Sequence, residues 1–161
     1  MHETPGLAPC AFLTIWNVRN TNRGNLGRGE GYLDMMLVQR SGDMLTASGP
    51  GGINEIQYAA LLMMIARHTG YKPGVFSHVV ANEQIYDRHE DAAEELKLRY
   101  EQRLEKEEFN RFFGYTSNLD LNRPKLILNP NKFNFYDMTI EDFTMENYDP
   151  IKPQLKLELG I

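Results

Sequence analysis

The feature that most constrains the fold is a change of pattern at residues 49–52, where Gly-Pro-Gly-Gly interrupts the chain. Before this break, residues 11–19 and 32–40 are rich in β-branched and aromatic side chains, which predicts two strands joined by an exposed turn rich in Asn, Arg and Gly. After the break, Asn54 is a good N-cap for an apolar helix that runs to Gly70. A strand hairpin followed by such a helix favours a mixed α/β fold.

The second half of the chain continues this mixture of elements. Residues 75–86 are apolar at first and polar near their end, which predicts a further strand. The charge-rich run over residues 88–111 predicts a solvent-exposed helix, and residues 124–129 and 135–145 predict two late strands. We therefore expect a single domain over residues 1–161, with a sizeable mixed sheet and one central, buried helix.

Composition excludes several classes of function. The 161 residues carry a net charge of -5, which gives no electrostatic footprint for a nucleic-acid polymer but still permits a small anionic ligand. No apolar run approaches the roughly 20 residues of a membrane span, and the polar start is unlike a signal-peptide core. A single cysteine gives no disulfide framework, so we expect a cytoplasmic protein without nucleic-acid or membrane partners.

The only cysteine, Cys10, lies in Ala-Pro-Cys just before the first predicted strand. A thiolate is the side chain best suited to conjugate addition at C6 of a pyrimidine ring, and it needs a nearby cation. Arg40 can serve as that cation if the hairpin brings the two residues together. A lone cysteine is more often a small apolar core residue, so Cys10 by itself leaves both interpretations open.

Polar residues follow the second predicted strand in the order Gln39-Arg40-Ser41-Gly42-Asp43. Arginine offers a planar fork for phosphate, and the serine hydroxyl adds another donor, although a surface ion pair is the commoner role of such an arginine. Asp43 can orient a ring or an amine through its carboxylate, or it can be a turn residue.

Three further side chains can recognise parts of a nucleotide. The amide of Asn54 offers one donor and one acceptor, as O4 and N3–H of uracil require; an aspartate would suit cytosine better, and a plain helix cap is the alternative. Gln84 and Tyr86 alternate near a predicted strand end, where either ribose recognition or a polar sheet face accounts for them. The four histidines show no metal-ligand spacing, so we expect no metal site.

The order of these groups resembles the C-terminal half of thymidylate synthases and the related pyrimidine hydroxymethylases. The similarity extends from Cys10 to the end of the chain and rests on several spaced motifs. They are Pro9-Cys10, Gln39 to Asp43, Asn54 to Ala59, Thr69-Gly70, Pro124-Lys125-Leu126, Asp142-Phe143 and Tyr148-Asp149-Pro150. The resemblance implies the mixed-sheet α/β fold of that family, with its buried central helix and without its N-terminal portion.

The resemblance also implies an activity and its partners. The reaction would be methylation of C5 of deoxyuridylate, with methylenetetrahydrofolate as the co-substrate that supplies the one-carbon unit and the hydride. The family is an obligate homodimer formed by stacked sheets, with site residues that cross the interface. Only nine residues precede Cys10, so the arginines, glutamate and tryptophan of the family's N-terminal segment are not found in this sequence, and we expect this chain alone to be an inefficient synthase. A separate chain could supply them, or the sequence could be the C-terminal part of a longer protein.

Specific roles follow from the same resemblance. Cys10 would be the nucleophile that adds to C6. Arg40 would lie near its sulfur and, with Ser41, would hold the phosphate. Asp43 would face the folate pterin and support the base through its backbone, and Asn54 would select uracil.

The chain also departs from the family pattern. Tyr86 would hold a ribose hydroxyl, but Gln84 stands where the family has its ribose-binding histidine, and Ala11 stands where a histidine usually follows the nucleophile. These departures keep a second class open, a non-catalytic nucleotide-binding or dimerising module. A cytidylate hydroxymethylase is a third alternative, against which Asn54 argues because cytosine would favour aspartate at that position.

Overall fold

The computed structural model describes residues 9–20, 31–49, 52–112 and 124–158, which form two compact units. The first unit extends to Gln84 and includes residues 133–135, and the second comprises residues 85–132 and those from Tyr136 onward. A single domain over residues 1–161 stays a prediction.

A three-stranded sheet and one helix make up most of the first unit. Its elements in chain order are β1 (Ala11–Asn20), β2 (Gly31–Gln39), β3 (Gly42–Asp43), a π-helical turn (Met44–Ser48), α1 (Ile53–Thr69), β4 (Lys72–Val80) and β5 (Glu83–Gln84). Strand β2 is central, antiparallel to β1 and parallel to β4, so the predicted hairpin is confirmed. Most of the predicted exposed turn lies outside the described residues.

The core of this unit lies between α1 and one face of the sheet. Leu33 and Met35 of β2 pack with Leu62 and Ala66 of α1, and all four are buried. Because strand side chains alternate between faces, Gln39 falls on the same buried face, six residues beyond Leu33. The polar side chain of Gln39, at the end of β2, therefore lies between the sheet and α1.

The start of α1 differs from the prediction. Gly52 is the N-cap, and no side chain caps the helix, because Asn54 already lies in its first turn. The amide of Asn54 donates instead to Gln39, which draws it toward the sheet. The helix ends as predicted at Gly70, whose left-handed φ of 77° is readily adopted by glycine.

Strand β2, helix α1 and strand β4 form a βαβ unit whose parallel strands end together. The pairing continues past β2 and β4 through bonds from Ala81 N to Gln39 O and from Gly42 N to Asn82 O, both 3.0 Å, and then through the short pair β3–β5. Ligands of parallel α/β sheets bind beyond the carboxyl ends of their strands. This edge is therefore where a site is expected.

The second unit contains a long helix and a small hairpin. Its elements in chain order are a 3₁₀ turn (Asp87–His89), α2 (Glu90–Phe112), β6 (Lys125–Leu128), a 3₁₀ turn (Ile140–Asp142) and β7 (Phe143–Glu146), with another 3₁₀ turn at Phe135–Asp137 where the units alternate in sequence. The predicted charged helix is confirmed as α2. Within the described ranges, neither helix has an apolar stretch that would reach across a bilayer.

Two predicted strands are shorter than expected. The strand over residues 75–86 is divided into β4 and β5, and β5 ends at Gln84. The strand over residues 135–145 is mostly 3₁₀ turn, because the Asp142 carboxylate accepts the backbone N–H of Thr139 at 2.9 Å and forms a capping box. Only the last part of that segment is extended, as β7.

Candidate active site

Four segments converge at the carboxyl end of the parallel strand pair. Strand β1 is antiparallel to β2, so Cys10 at the start of β1 lies beside the end of β2, and the N–H of Arg40 donates to the Cys10 carbonyl at 2.9 Å. Asn54 comes from the first turn of α1, and Gln84 comes from β5. The structure thus brings together residues that are far apart in the sequence, the widest separation being the 74 positions from Cys10 to Gln84.

Cys10 is half-buried and carries a free thiol. Its Sγ lies 3.5 Å from the Oγ of Ser41, and either atom can be the donor. A hydroxyl at this distance can stabilise a thiolate by donating to it. Arg40, an exposed residue between β2 and β3, is brought next to Cys10 through its backbone.

Gln39 connects Ser41 with Asn54. It is 1% exposed, and its Nε2 donates to the Ser41 carbonyl at 2.8 Å. Its Oε1 accepts from Asn54 Nδ2 at 3.2 Å and lies 3.3 Å from Nε2 of His78. A buried amide with all these partners is well satisfied, and it fixes the orientation of the Asn54 side chain.

Asp43 caps the π-helical turn that follows it. Its carboxylate accepts from the backbone N–H of Leu45 at 3.1 Å and from the hydroxyl of Thr46 at 2.5 Å. Gln84 is its partner in the β3–β5 register, so these two predicted site residues are neighbours across the strands. Asp43 therefore has a structural role at the site edge, whatever else it binds.

Tyr86 belongs to the second unit. Because β5 ends at Gln84, the predicted alternation of Gln84 and Tyr86 along one strand is wrong. The Tyr86 ring packs edge-to-face against His89, with centroids 5.8 Å apart and an interplanar angle of 72°. Its predicted role with ribose stays a prediction.

Three residues near the site were not selected from the sequence as functional: Gln39, Glu55 and His78. The two-residue period of β2 was a sufficient signal for Gln39, since it follows Leu33, Met35 and Leu37 on one face. No local signal identifies Glu55 and His78, because their proximity depends on how α1 lies over β4.

The described residues contain no group of three His, Cys, Asp or Glu side chains placed to hold a metal ion. In the first unit, the groups whose pKa departs from its ordinary value are Arg19 and Asp34, which lie at the opposite end of β1 and β2. There a hydrogen bond from Arg19 lowers the pKa of the Asp34 carboxyl, and the Val75 N–H adds to the effect. This pair holds the sheet and is separate from the site.

Comparisons with known proteins agree on one family. A family model described as thymidylate synthase matches residues 1–161. A thymidylate synthase of Streptococcus pneumoniae (strain ATCC 700669 / Spain 23F-1) is 45% identical over 160 residues, which are 99% of this chain and 48% of that protein. One of Streptococcus suis (strain 05ZYH33) is 42% identical with the same coverage.

A solved structure gives the same answer for the fold. The thermostable thymidylate synthase A from Bacillus subtilis matches with a TM-score of 0.61 and 27% identity, over 93% of this chain and 42% of that one. The chain belongs to the thymidylate synthase family, as the resemblance predicted, and has that family's α/β fold. It spans about half the length of the curated relatives it matches.

Proposed function

We propose that this chain acts as a thymidylate-synthase-type one-carbon transferase, which methylates C5 of deoxyuridylate through a Cys10 adduct at C6. The observation that carries the proposal is the convergence of a thiol, a phosphate-type Arg-Ser pair and an oriented amide at one sheet edge. Cys10 is linked to Ser41, Ser41 to Gln39, and Gln39 to Asn54 by a continuous set of hydrogen bonds. A neutral relic of the family would not need to keep this set connected.

Cys10 performs the covalent step. Its thiolate forms a bond to C6, and the electron pair of the C5–C6 double bond moves toward C5 and O4, which makes C5 nucleophilic. In exchange of the C5 proton with water, C5 first takes up a solvent proton; when the original C5 proton then leaves, the double bond forms again and the C6–S bond breaks, with its electron pair returning to sulfur. In methylation, the same C6–S bond would break when the bound co-substrate delivers its hydride to the one-carbon unit on C5. Ser41, 3.5 Å from the sulfur, stabilises the thiolate, and Arg40 supplies positive charge for it and for the nucleotide phosphate.

Asn54 selects the base and stabilises the adduct. Its Nδ2 uses one hydrogen for Gln39 and keeps the other for O4 of uracil, where negative charge collects. Its Oδ1 can then accept N3–H. Cytosine presents the opposite pattern at both positions, so the held amide opposes it.

The co-substrate of this proposal is methylenetetrahydrofolate, which supplies the one-carbon unit and the hydride when bound. Asp43 is the residue of this chain that would face its pterin. The half-buried carboxylate accepts bonds from the turn that follows it, yet a carboxylate has about four acceptor sites, so it can accept from a ring nitrogen as well. Gln84 and Tyr86 are proposed for the ribose, with Gln84 next to Asp43 across the strands.

We also propose a homodimer that buries the outer face of the three-stranded sheet. The β1–β2 and β2–β4 registers place four exposed apolar side chains on the face opposite α1: Leu13, Ile15, Met36 and Val79, which are 39–50% exposed. A surface of this kind marks an interaction site. The relatives are about twice as long as the matched segment. Residues of their other half that the reaction needs would come from the same polypeptide or from a separate chain.

The experiment that tests the function is a calorimetric titration of the chain with deoxyuridylate, with deoxycytidylate as the matched ligand. Saturable, uracil-selective binding supports the proposal. Absence of binding at about millimolar nucleotide would contradict it, since that is the weakest useful affinity for such a ligand. Tighter binding of deoxycytidylate would favour the hydroxymethylase, and uracil-selective binding without exchange of C5 tritium would favour the non-catalytic module.

A further inference from the structure

His78 of β4 lies on the sheet face that α1 covers, between two polar groups. Its side chain is 6% exposed. Its Nε2 is 3.3 Å from Gln39 Oε1, and its Nδ1 is 3.4 Å from Glu55 Oε1. The reaction proposed above uses neither residue, yet His78 contacts the Gln39 amide that orients Asn54, and Glu55 contacts His78.

The protonation of His78 Nε2 follows from the orientation of Gln39. Only the nitrogen of an amide can donate, so the 2.8 Å bond to the Ser41 carbonyl identifies Gln39 Nε2 and leaves Oε1 facing His78. An amide oxygen only accepts. His78 Nε2 must therefore carry a hydrogen to make a hydrogen bond at this contact.

The other ring nitrogen then faces a carboxylate oxygen. A neutral imidazole with its hydrogen on Nε2 has a lone pair on Nδ1, which would oppose the lone pairs of Glu55. Both contacts are attractive only when the pair holds one additional proton, as imidazolium with carboxylate or as imidazole with carboxylic acid. Three uncharged groups also lie against His78: Gln39 and the register partner Leu37 from β2, and the Phe76 ring, stacked at 6.1 Å, from its own strand.

We propose that His78 and Glu55 share a proton that holds Gln39, and through it Asn54, in the orientation that selects uracil over cytosine. The inference rests on the proposed function and deepens it by naming two positioning residues for base selectivity. When the shared proton is lost, one of the two contacts of His78 becomes a repulsion between lone pairs. The preference for deoxyuridylate over deoxycytidylate should therefore fall as the pH rises.

The proton itself is measured without any nucleotide, from the ¹⁵N and ¹H resonances of the His78 ring in the full chain. The expected result is a hydrogen on Nε2 at neutral pH, with Nδ1 either protonated or accepting from Glu55. A ring with Nε2 unprotonated at neutral pH would overturn the proposal. This readout stays informative if the chain binds neither nucleotide, an outcome that would contradict the proposed function and not the shared proton.

The consequence is measured as the ratio of the two nucleotide affinities against pH, in which the ionisation of the shared phosphate group cancels. Glu55→Gln can donate to Nδ1 without the extra proton, so this variant should keep the preference and lose its pH dependence. His78→Phe removes the donor to Gln39 and should lower the preference about three- to tenfold, the effect of one hydrogen bond.

Glu83→Gln serves as the control, because it removes a carboxylate at the same sheet edge that bonds Ser48 and not His78. It should keep the pH dependence of the wild type. A Glu55→Gln variant with the wild-type pH profile would overturn the proposal, and so would a folded His78→Phe variant with an unchanged preference.

Discussion

Gln39 in the first unit and Asp142 in the second are both buried polar residues, but they bond over different distances along the chain. In the first unit, Gln39 is 1% exposed and connects side chains from several elements around the candidate site. In the second, Asp142 is 8% exposed and bonds mainly its own turn and the neighbouring hairpin strand, through Thr139 and Asn129. Burial of a polar side chain thus serves a candidate site at Gln39 and local chain geometry at Asp142.

The two helices also differ in how far their apolar side chains are buried. Leu62 on α1 is 3% exposed and packs against β2, whereas Leu98 on α2 is 48% exposed and Phe112 is 83% exposed. A packed core restricts the positions of the groups at its edge. We therefore expect substitutions on the buried face of α1 to change chemistry and stability strongly, and substitutions at exposed apolar positions of α2 to have smaller effects.

The largest effect is expected at Cys10. Cys10→Ser should reduce release of tritium from 5-tritiated deoxyuridylate by about 10³-fold or more, since removal of a nucleophile has effects of at least this order. Exchange of C5 with water needs only the C6 adduct, so the assay can be run with and without methylenetetrahydrofolate. The variant should still bind deoxyuridylate by calorimetry. Release at the wild-type rate would remove Cys10 as the nucleophile.

The difference between the two helices is tested by truncating one leucine on each of them. Leu62→Ala should lower the free energy of unfolding by about 2–5 kcal/mol because it leaves a cavity. The control, Leu98→Ala, should change it by less than about 0.5 kcal/mol because the side chain is half exposed. During urea unfolding, circular dichroism reports on both helices, and fluorescence of Trp16, the single tryptophan, reports on the first unit because it packs against the core cluster. Equal losses would contradict the comparison.

The site itself is tested by Asn54→Asp. A carboxylate cannot donate to O4 of uracil, so the ratio of deoxyuridylate to deoxycytidylate affinity should fall about 10- to 100-fold. Gln57→Glu makes the same change of charge at an exposed position of α1 and should leave the ratio unaltered. A ratio that stays the same in Asn54→Asp would remove this residue as the base reader.

A smaller effect is expected at Asp142. The N–H of Thr139 holds the pKa of this carboxyl below its ordinary value; burial opposes the shift, and Asn129 and Lys132 support it. A lowered pKa gives stability that is present above the pKa of the unfolded chain and is lost as the pH falls through that of the folded chain.

Asp142→Asn should therefore reduce the loss of stability in acid, measured as urea midpoints by circular dichroism at several pH values. Glu146→Gln removes a charge from an exposed position of the same hairpin and should keep the wild-type slope. An unchanged slope in Asp142→Asn would show that the carboxylate does not contribute to the acid loss.

Local patterns predicted much of this fold, and long-range geometry accounts for most of what they missed. The β1–β2 hairpin and both helices follow from hydrophobic period and charge within single segments. Residues 135–145 were misassigned because one carboxylate at Asp142 forms a turn where the side-chain pattern favours a strand. Asn54 was misassigned as a cap because its partner, Gln39, lies 15 residues earlier.

The candidate site divides in the same way. The order of motifs along the chain was enough to select Cys10, Arg40, Ser41 and Asp43 as candidates. Glu55 and His78 are 23 residues apart and meet only because the βαβ unit places α1 over β4. The sequence alone does not predict how α1 packs on β4, so it does not predict this contact.

Gly42 has no side chain, and this makes the residues tolerated at positions 42 and 48 depend on each other. A Cβ at Gly42 would overlap the Ser48 side chain, which folds back from the π-helical turn. Gly42→Ala should therefore be harmful alone and tolerated with Ser48→Gly, a coupling that a double-mutant cycle measures directly. A side chain at position 42 would therefore be accommodated only where position 48 already carries the smaller residue.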